Sequence, residues 1–152
     1  MAVAAPRTIR ACWILGAPLA IAAAAACAGP YGKVTEIMSQ TVPGDSFRTI
    51  VVISGNDDQS ALQLTARVRQ RLNDAGLSAL RRAGLWSTES EALAEICPLG
   101  QPSDVHGLLF VTWDELDLYD CRTHKPAYQI RAGMQGTDLM VKRLLRYVHP
   151  KG

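Results

Sequence analysis

The sequence predicts one small α/β domain (in the broad sense, α+β) built on a single mixed sheet, in the order β-α-β-α-β-β-α with a long C-terminal hairpin. Three observations carry this. Leu108-Leu109-Phe110-Val111-Thr112-Trp113 is an unbroken apolar or β-branched run, as expected of a central strand buried on both faces. Beyond it, Leu116 and Leu118 alternate with Asp117 and Tyr119, and Tyr128, Ile130 and Ala132 alternate with Gln129 and Arg131. A period of two is the pattern of half-buried strands. Thr49-Ile50-Val51-Val52-Ile53 is a second buried run, and a strand followed by a helix and another strand implies a right-handed parallel crossover.

The elements follow in order. Residues 27–46 are rich in Gly, Pro, Ser and Thr and read as a tether, with a short strand at Val34–Met38. Such a segment would hold the domain, residues 47–152, on the order of 25 Å from its start. Ser54-Gly55-Asn56 turns the chain after the Thr49–Ile53 strand. Ser60 and Gln63 have capping-box spacing, with Asp57 and Asp58 favourably placed for the helix dipole. Ala61, Leu64, Val68, Leu72 and Ala75 form the stripe of a helix that Gly76 stops. Arg67, Arg69 and Arg71, spaced by two, cannot share one helix face and read as solvated. Leu77–Arg82 is a weakly patterned strand near an edge. Thr88 and Glu91 open a short helix that Pro98 ends, and a polar loop, Leu99–His106, leads to the central strand. That strand runs from Gly107 to Cys121, turns at residues 122–126 and returns over Ala127–Ala132. Gly136-Thr137-Asp138 caps a last helix with the face Met140, Val141, Leu144, Leu145 and Val148.

The front of the 152-residue chain has a different character. Arg7 and Arg10 precede an apolar, alanine-rich stretch that closes on Ala24-Ala25-Ala26-Cys27, and no further charge appears before Lys33. This resembles a bacterial lipoprotein signal peptide, residues 1–26, with Cys27 as the lipidated residue. Ala24 and Ala26 also fit the small-x-small rule of ordinary signal cleavage, so plain secretion to the periplasm is the alternative. Gly16, Pro18, Gly29 and Pro30 speak against an uncleaved span. In lipoproteins of this type Ala28, where an aspartate would favour inner-membrane retention, implies the outer membrane. Losing Arg7 and Arg10 takes the 16 basic residues to 14, against 14 acidic ones. A neutral mature chain lacks the concentrated basic field that nucleic-acid binding needs.

In an oxidising compartment Cys97 and Cys121 are the expected disulfide pair. Geometry sets a condition. The path from Cys97 to Gly107 spans at most about 36 Å, whereas a straight strand from Gly107 to Cys121 runs about 46 Å, so the strand must bend. Asp114-Glu115 is the place, because Trp113 and Leu116 would otherwise fall on opposite faces.

In element order and in its long strand–turn–strand, the chain resembles the small α/β modules of envelope lipoproteins, including the amino-terminal domain of TolB and the curli-secretion lipoproteins. No catalytic motif accompanies that resemblance. A response-regulator receiver would place an acidic pair directly at the end of its first strand, whereas Ser54-Gly55-Asn56 intervenes before Asp57-Asp58. Asp114, Glu115, Asp117 and Asp120 could be metal ligands or an acid–base pair, but only Glu115 and Asp117 share a strand face, and edge protection explains them better. His106, His124 and His149 lack zinc-ligand spacing. Val52 stands where a nucleophile elbow needs Gly, and no phosphate-binding glycine loop is present. The sequence therefore points to no enzyme, no cofactor and no metal. It points to a lipid-anchored periplasmic module that binds an envelope protein, with a secreted small-ligand or metal-binding domain as the alternative. Trp113, Tyr119, Tyr128 and Arg131 on the C-terminal hairpin are the candidate partner-facing residues, the competing role of the aromatics being core and cross-strand packing. Metabolic labelling with a fatty-acid probe is expected to mark Cys27, and label that survives Cys27→Ala would refute lipidation there.

Overall fold

The computed structural model describes residues 34–57, 59–84, 86–132 and 136–149. The described residues form six strands and three α-helices, with a 3-10 turn at Gly44–Ser46: β1 (Thr35–Met38), β2 (Thr49–Ser54), α1 (Gln59–Asp74), β3 (Ser78–Arg81), α2 (Glu89–Ile96), β4 (Gly107–Val111), β5 (Glu115–Asp120), β6 (Pro126–Arg131) and α3 (Thr137–Val148). All six strands join one mixed sheet in the order β1-β6-β5-β4-β2-β3. β2 pairs in parallel with β3 and β4, while β4-β5-β6-β1 is an antiparallel run. The expected α/β class with one mixed sheet is therefore what the chain adopts.

Two expectations change in detail. The long strand expected over Gly107–Cys121 is two strands. Thr112 N–H donates to the Glu115 carbonyl at 3.0 Å, and the Glu115 N–H donates to Thr112 Oγ1 at 3.1 Å, leaving Trp113 and Asp114 at the tip of a tight hairpin. The break in hydrophobic phase between Trp113 and Leu116 is thus a full reversal, and the C-terminal hairpin becomes a three-stranded meander. The stretch expected as a tether is, from residue 34 on, part of the domain. β1 adds to the sheet edge with Thr35 opposite Arg131 and Ile37 opposite Gln129. Residues 42–47 then pack on the end of α3: Tyr147 Oη donates to the Val42 carbonyl at 2.6 Å, and Phe47 is buried. A Cβ on Gly44 would lie 1.8 Å from the Tyr147 carbonyl oxygen, so only glycine permits that approach. Residues 27–33 lie outside the described part.

Alternation along the strands sorts the core into two layers. Ile50, Val52, Leu109, Val111, Leu116, Leu118, Tyr128 and Ile130 meet α1 (Val68, Leu72) and α3 (Met140, Val141, Leu144, Val148) on one face. Val51, Ile53, Leu108 and Phe110 meet α2 (Ala92, Leu93, Ile96) on the other. α1 begins at Gln59, so Ser60 lies inside its first turn and does not cap it; Gly76, at φ 87°, ends it. α2 is capped by Thr88, whose side chain accepts from the Glu91 N–H at 3.2 Å, while Glu91 accepts from the Ser87 N–H at 2.8 Å.

Because the chain reverses at Trp113, Cys121 returns to the end of β4 from which the loop to Cys97 departs. The two cysteines are buried and joined as a disulfide with Cα atoms 5.0 Å apart. His124, at φ 57° in the β5–β6 turn, places its Nε2 2.5 Å from the Cys97 carbonyl. Buried Asp120 accepts from Arg122 N–H at 3.1 Å and Thr123 Oγ1 at 3.0 Å, so the same turn is held internally. Non-reducing peptide mapping should return the Cys97–Cys121 pair. Replacing both by Ala should lower the unfolding free energy by about 3 kcal/mol, read from urea titration.

Candidate functional site

The three strands β5, β6 and β1 carry helices on one face only. On the other, paired residues point the same way: Glu115 with Arg131, Asp117 with Gln129, and Arg131 and Gln129 with Thr35 and Ile37. No helix among the described residues covers this surface. It holds a shallow depression of about 160 Å³, lined by Thr35, Ile37, Glu115, Gln129 and Arg131. Ile37 is 58% exposed there, and Trp113 is 63% exposed at the hairpin tip.

Polar contacts order the face. Arg131 Nη2 donates to Glu115 Oε2 at 2.5 Å. Gln129 Nε2 donates to Asp117 Oδ1 at 3.1 Å. Tyr119 stands edge-on to Phe110, centroids 5.7 Å apart, and its hydroxyl donates to Glu89 Oε2 at the start of α2. Asp117 is only 8% exposed. Burial first, then the charge of Glu115 and more weakly Glu89, push its carboxyl up to about 6 against the opposing Gln129 hydrogen bond and Arg131. Burial, then the Glu89 hydrogen bond, raise the Tyr119 phenol well above its usual range. Glu115 likewise holds Arg131 in its charged form. With three carboxylates against one guanidinium, the face is acidic.

The structure separates the candidate partner residues. Trp113 and Arg131 are exposed, and Tyr119 is half-buried on the open face. Tyr128 is core and leaves the patch: its ring stacks on Tyr147 at 5.0 Å, and its hydroxyl donates to Glu36 Oε1 at 2.7 Å. Glu36 also takes Arg143 Nη1 at 2.6 Å, which ties β1 to α3. Cys27 lies outside the described residues. Asp114 accepts from Thr112 Oγ1 in the hairpin turn at 3.2 Å, and Asp120 serves the next turn. His106 Nδ1 accepts from the Thr49 N–H at 3.1 Å, a structural role. Among the described residues no group of three His, Cys, Asp or Glu side chains could hold a metal. None of the described helices is long and apolar enough to cross a membrane.

Sequence reasoning did not single out Ile37 or Glu89. The only available signal was the alternation of Thr35 and Ile37 with Glu36 and Met38, too short to distinguish an edge strand from a tether.

The architecture defines a small mixed-sheet α/β domain with one half-open face. No protein-family model matches the chain, and no curated protein matches it in sequence. Solved structures similar to it include two PelC dodecamers. One is a PelC dodecamer from Paraburkholderia phytofirmans, 12% identical over 76% of this chain and 93% of that one, TM-score 0.41. The other is a point-substituted PelC dodecamer from the same organism, 12% identical over 76% and 94%, TM-score 0.40.

Asp117 gives a pH prediction. The folded state binds its proton more tightly than the unfolded chain, whose value is near 3.8, so stability falls as pH rises from there through about 6. Asp117→Asn keeps an acceptor for Gln129 and removes the buried charge. At about pH 7.5 it should be more stable than the parent by about 1 kcal/mol, a figure discounted for partial solvation, with the difference gone below about pH 3.5. Equal stability of the two proteins at both pH values would refute the assignment.

Proposed function

We propose that this protein is a non-enzymatic interaction module, anchored by lipid at Cys27 to the periplasmic side of the outer membrane, that binds an envelope protein through the open face of β5, β6 and β1. The observation that supports this is the uncovered half-sheet itself. It sets the exposed apolar Ile37 among polar side chains, with Trp113 standing at the hairpin tip, much as interfaces surround a few apolar or aromatic anchors with a polar rim. Glu89, Glu115 and Asp117 outweigh Arg131, so the complementary partner presents basic side chains. Anchoring follows from the signal-like residues 1–27: two or more acyl chains hold a protein at a bilayer where one is marginal.

Trp113 and Ile37 are the residues to test, because neither supports the core, whereas Tyr119 packs on Phe110. Trp113→Ala combined with Ile37→Ser should leave the melting temperature within about 3 °C and weaken capture of the membrane partner by at least about tenfold. The captured protein should carry a basic segment that crosslinks to β5 or β6. Unchanged capture by a folded double variant would sink the proposal.

A further inference from the structure

At the opposite end of the sheet from the open face, a cleft of about 720 Å³ lies against α1 at the carboxyl ends of β2 and β3. We infer that this cleft binds a small organic oxyanion, a phosphate or carboxylate carried on a planar apolar body. It is a separate surface and stands or falls apart from the partner face.

Location and size come first. Open α/β sheets bind ligands outside the carboxyl ends of their parallel strands, and small-molecule sites commonly measure about 300–1,000 Å³. β2 lies between two parallel neighbours, with its following helix on one face and the helix that follows β3 on the other. The cleft opens at that divergence.

Its chemistry supplies the class of ligand. Arg69, Arg81 and Arg82 line it, and Asp57 is the only acidic side chain among its lining residues. Arg81 sits opposite Val52 in the β2–β3 ladder, and Arg69 lies on α1 one turn beyond Ala66 and two beyond Leu62, so these three share a helix face. Arg71, Arg122, Arg131 and Arg143 are all ion-paired, whereas none of the three cleft arginines has such a partner among the described residues. Three guanidiniums against one carboxylate in the lining of a single cleft favour an oxyanion by charge and by forked hydrogen bonds.

The remaining lining mixes polar Ser54, Gln59, Gln63 and Thr65 with two large apolar side chains, Leu62 and Trp86. Leu62 is 51% exposed, an aliphatic side chain the core does not use. Trp86 is half-buried, its Nε1 donating to Glu95 Oε2 at 2.8 Å. Its ring folds back on the chain so closely that a Cβ at Gly84 would lie 2.3 Å from it. An indole fixed by the Glu95 hydrogen bond and by its close approach to Gly84 offers a surface for a flat apolar group, which costs little entropy to use.

Isothermal titration calorimetry of the full chain tests this with 1-naphthyl phosphate and 1-naphthoate, against 1-naphthol and inorganic phosphate. At least one naphthyl oxyanion should bind with Kd of about 1 mM or tighter, and the preferred one names the head group. Naphthol and inorganic phosphate should bind at least about tenfold more weakly. Arg81→Gln with Arg82→Gln, both exposed and unpaired, should weaken binding by about tenfold or more, and Trp86→Leu should weaken it as well. Arg48→Gln with Arg146→Gln, the same charge change elsewhere, should leave binding unchanged. Equal affinity for naphthol, no binding of either oxyanion, or an Arg81/Arg82 double variant that binds like the parent would each overturn the inference.

Discussion

The fold depends on a requirement set by β4: all five of its residues are buried, and both of its edges are paired, in parallel to β2 and antiparallel to β5. Each side chain fully buried there stabilises the domain by about 1.5–3 kcal/mol, provided the sheet is covered on both faces. Among the described residues one face receives two helices, α1 and α3, and the other receives α2 alone. Strands are spaced by about 4.8 Å and a helix is about 10 Å across, so one helix roofs about two strands. α2 therefore seals β2 and β4 and leaves β5, β6 and β1 bare on that side. The open face is a consequence of a sheet wider than the one described helix on that side, and acidic and amide side chains occupy it.

Closing α2 onto the sheet needs more than eight residues of helix. The disulfide and the His124 contact both act at the C-terminus of α2, where Cys97 follows Ile96, and both reach it from the β5–β6 turn. Asp120 satisfies that turn from within. At the other end of α2, Glu89 meets Tyr119 and Glu91 closes the cap. The short helix is thus pinned at each end to β5 or its turn, and the margin of the open face is fixed in place by the same contacts. Tyr119 belongs to both structures at once: its ring closes the second core layer, and its hydroxyl ends the row of polar groups on the face.

Much of this was legible in the sequence because the strands are long enough to show their period. Leu116 and Leu118 against Asp117 and Tyr119 gave the correct faces, as did Tyr128 and Ile130 against Gln129 and Arg131. Thr88 and Glu91 marked the α2 cap, and the reach argument between Cys97 and Cys121 demanded a bend where the hairpin turns. The tip at Trp113 was hidden because a tight β-turn of Thr, Trp and Asp lacks the usual Gly or Asn signal, so six apolar or β-branched residues read as one strand. Tyr128 shows the packing role that competed with partner binding: alternation had already grouped it with Ile130, opposite Gln129 and Arg131, and that face is the one the helices cover. The short strand at Val34–Met38 was legible, but its place at the sheet edge was not, because that rests on its partner β6 and on the Glu36–Arg143 ion pair, neither of which is local.

Neutral totals conceal how charge is distributed in this chain. The 14 acidic and 14 basic residues left once Arg7 and Arg10 are set aside would predict an indifferent surface if they were mixed evenly. They are not. Carboxylates gather on the bare side of β5 beside α2, and guanidiniums with no ion pair among the described residues gather around the carboxyl end of β3. A six-stranded sheet is about 24 Å wide, whereas exposed charges are screened over about 8 Å at physiological salt. An approaching molecule therefore meets one end of the sheet or the other and never their sum. Net charge settles only what the chain does at long range, and every short-range encounter is decided by which edge of the sheet is presented.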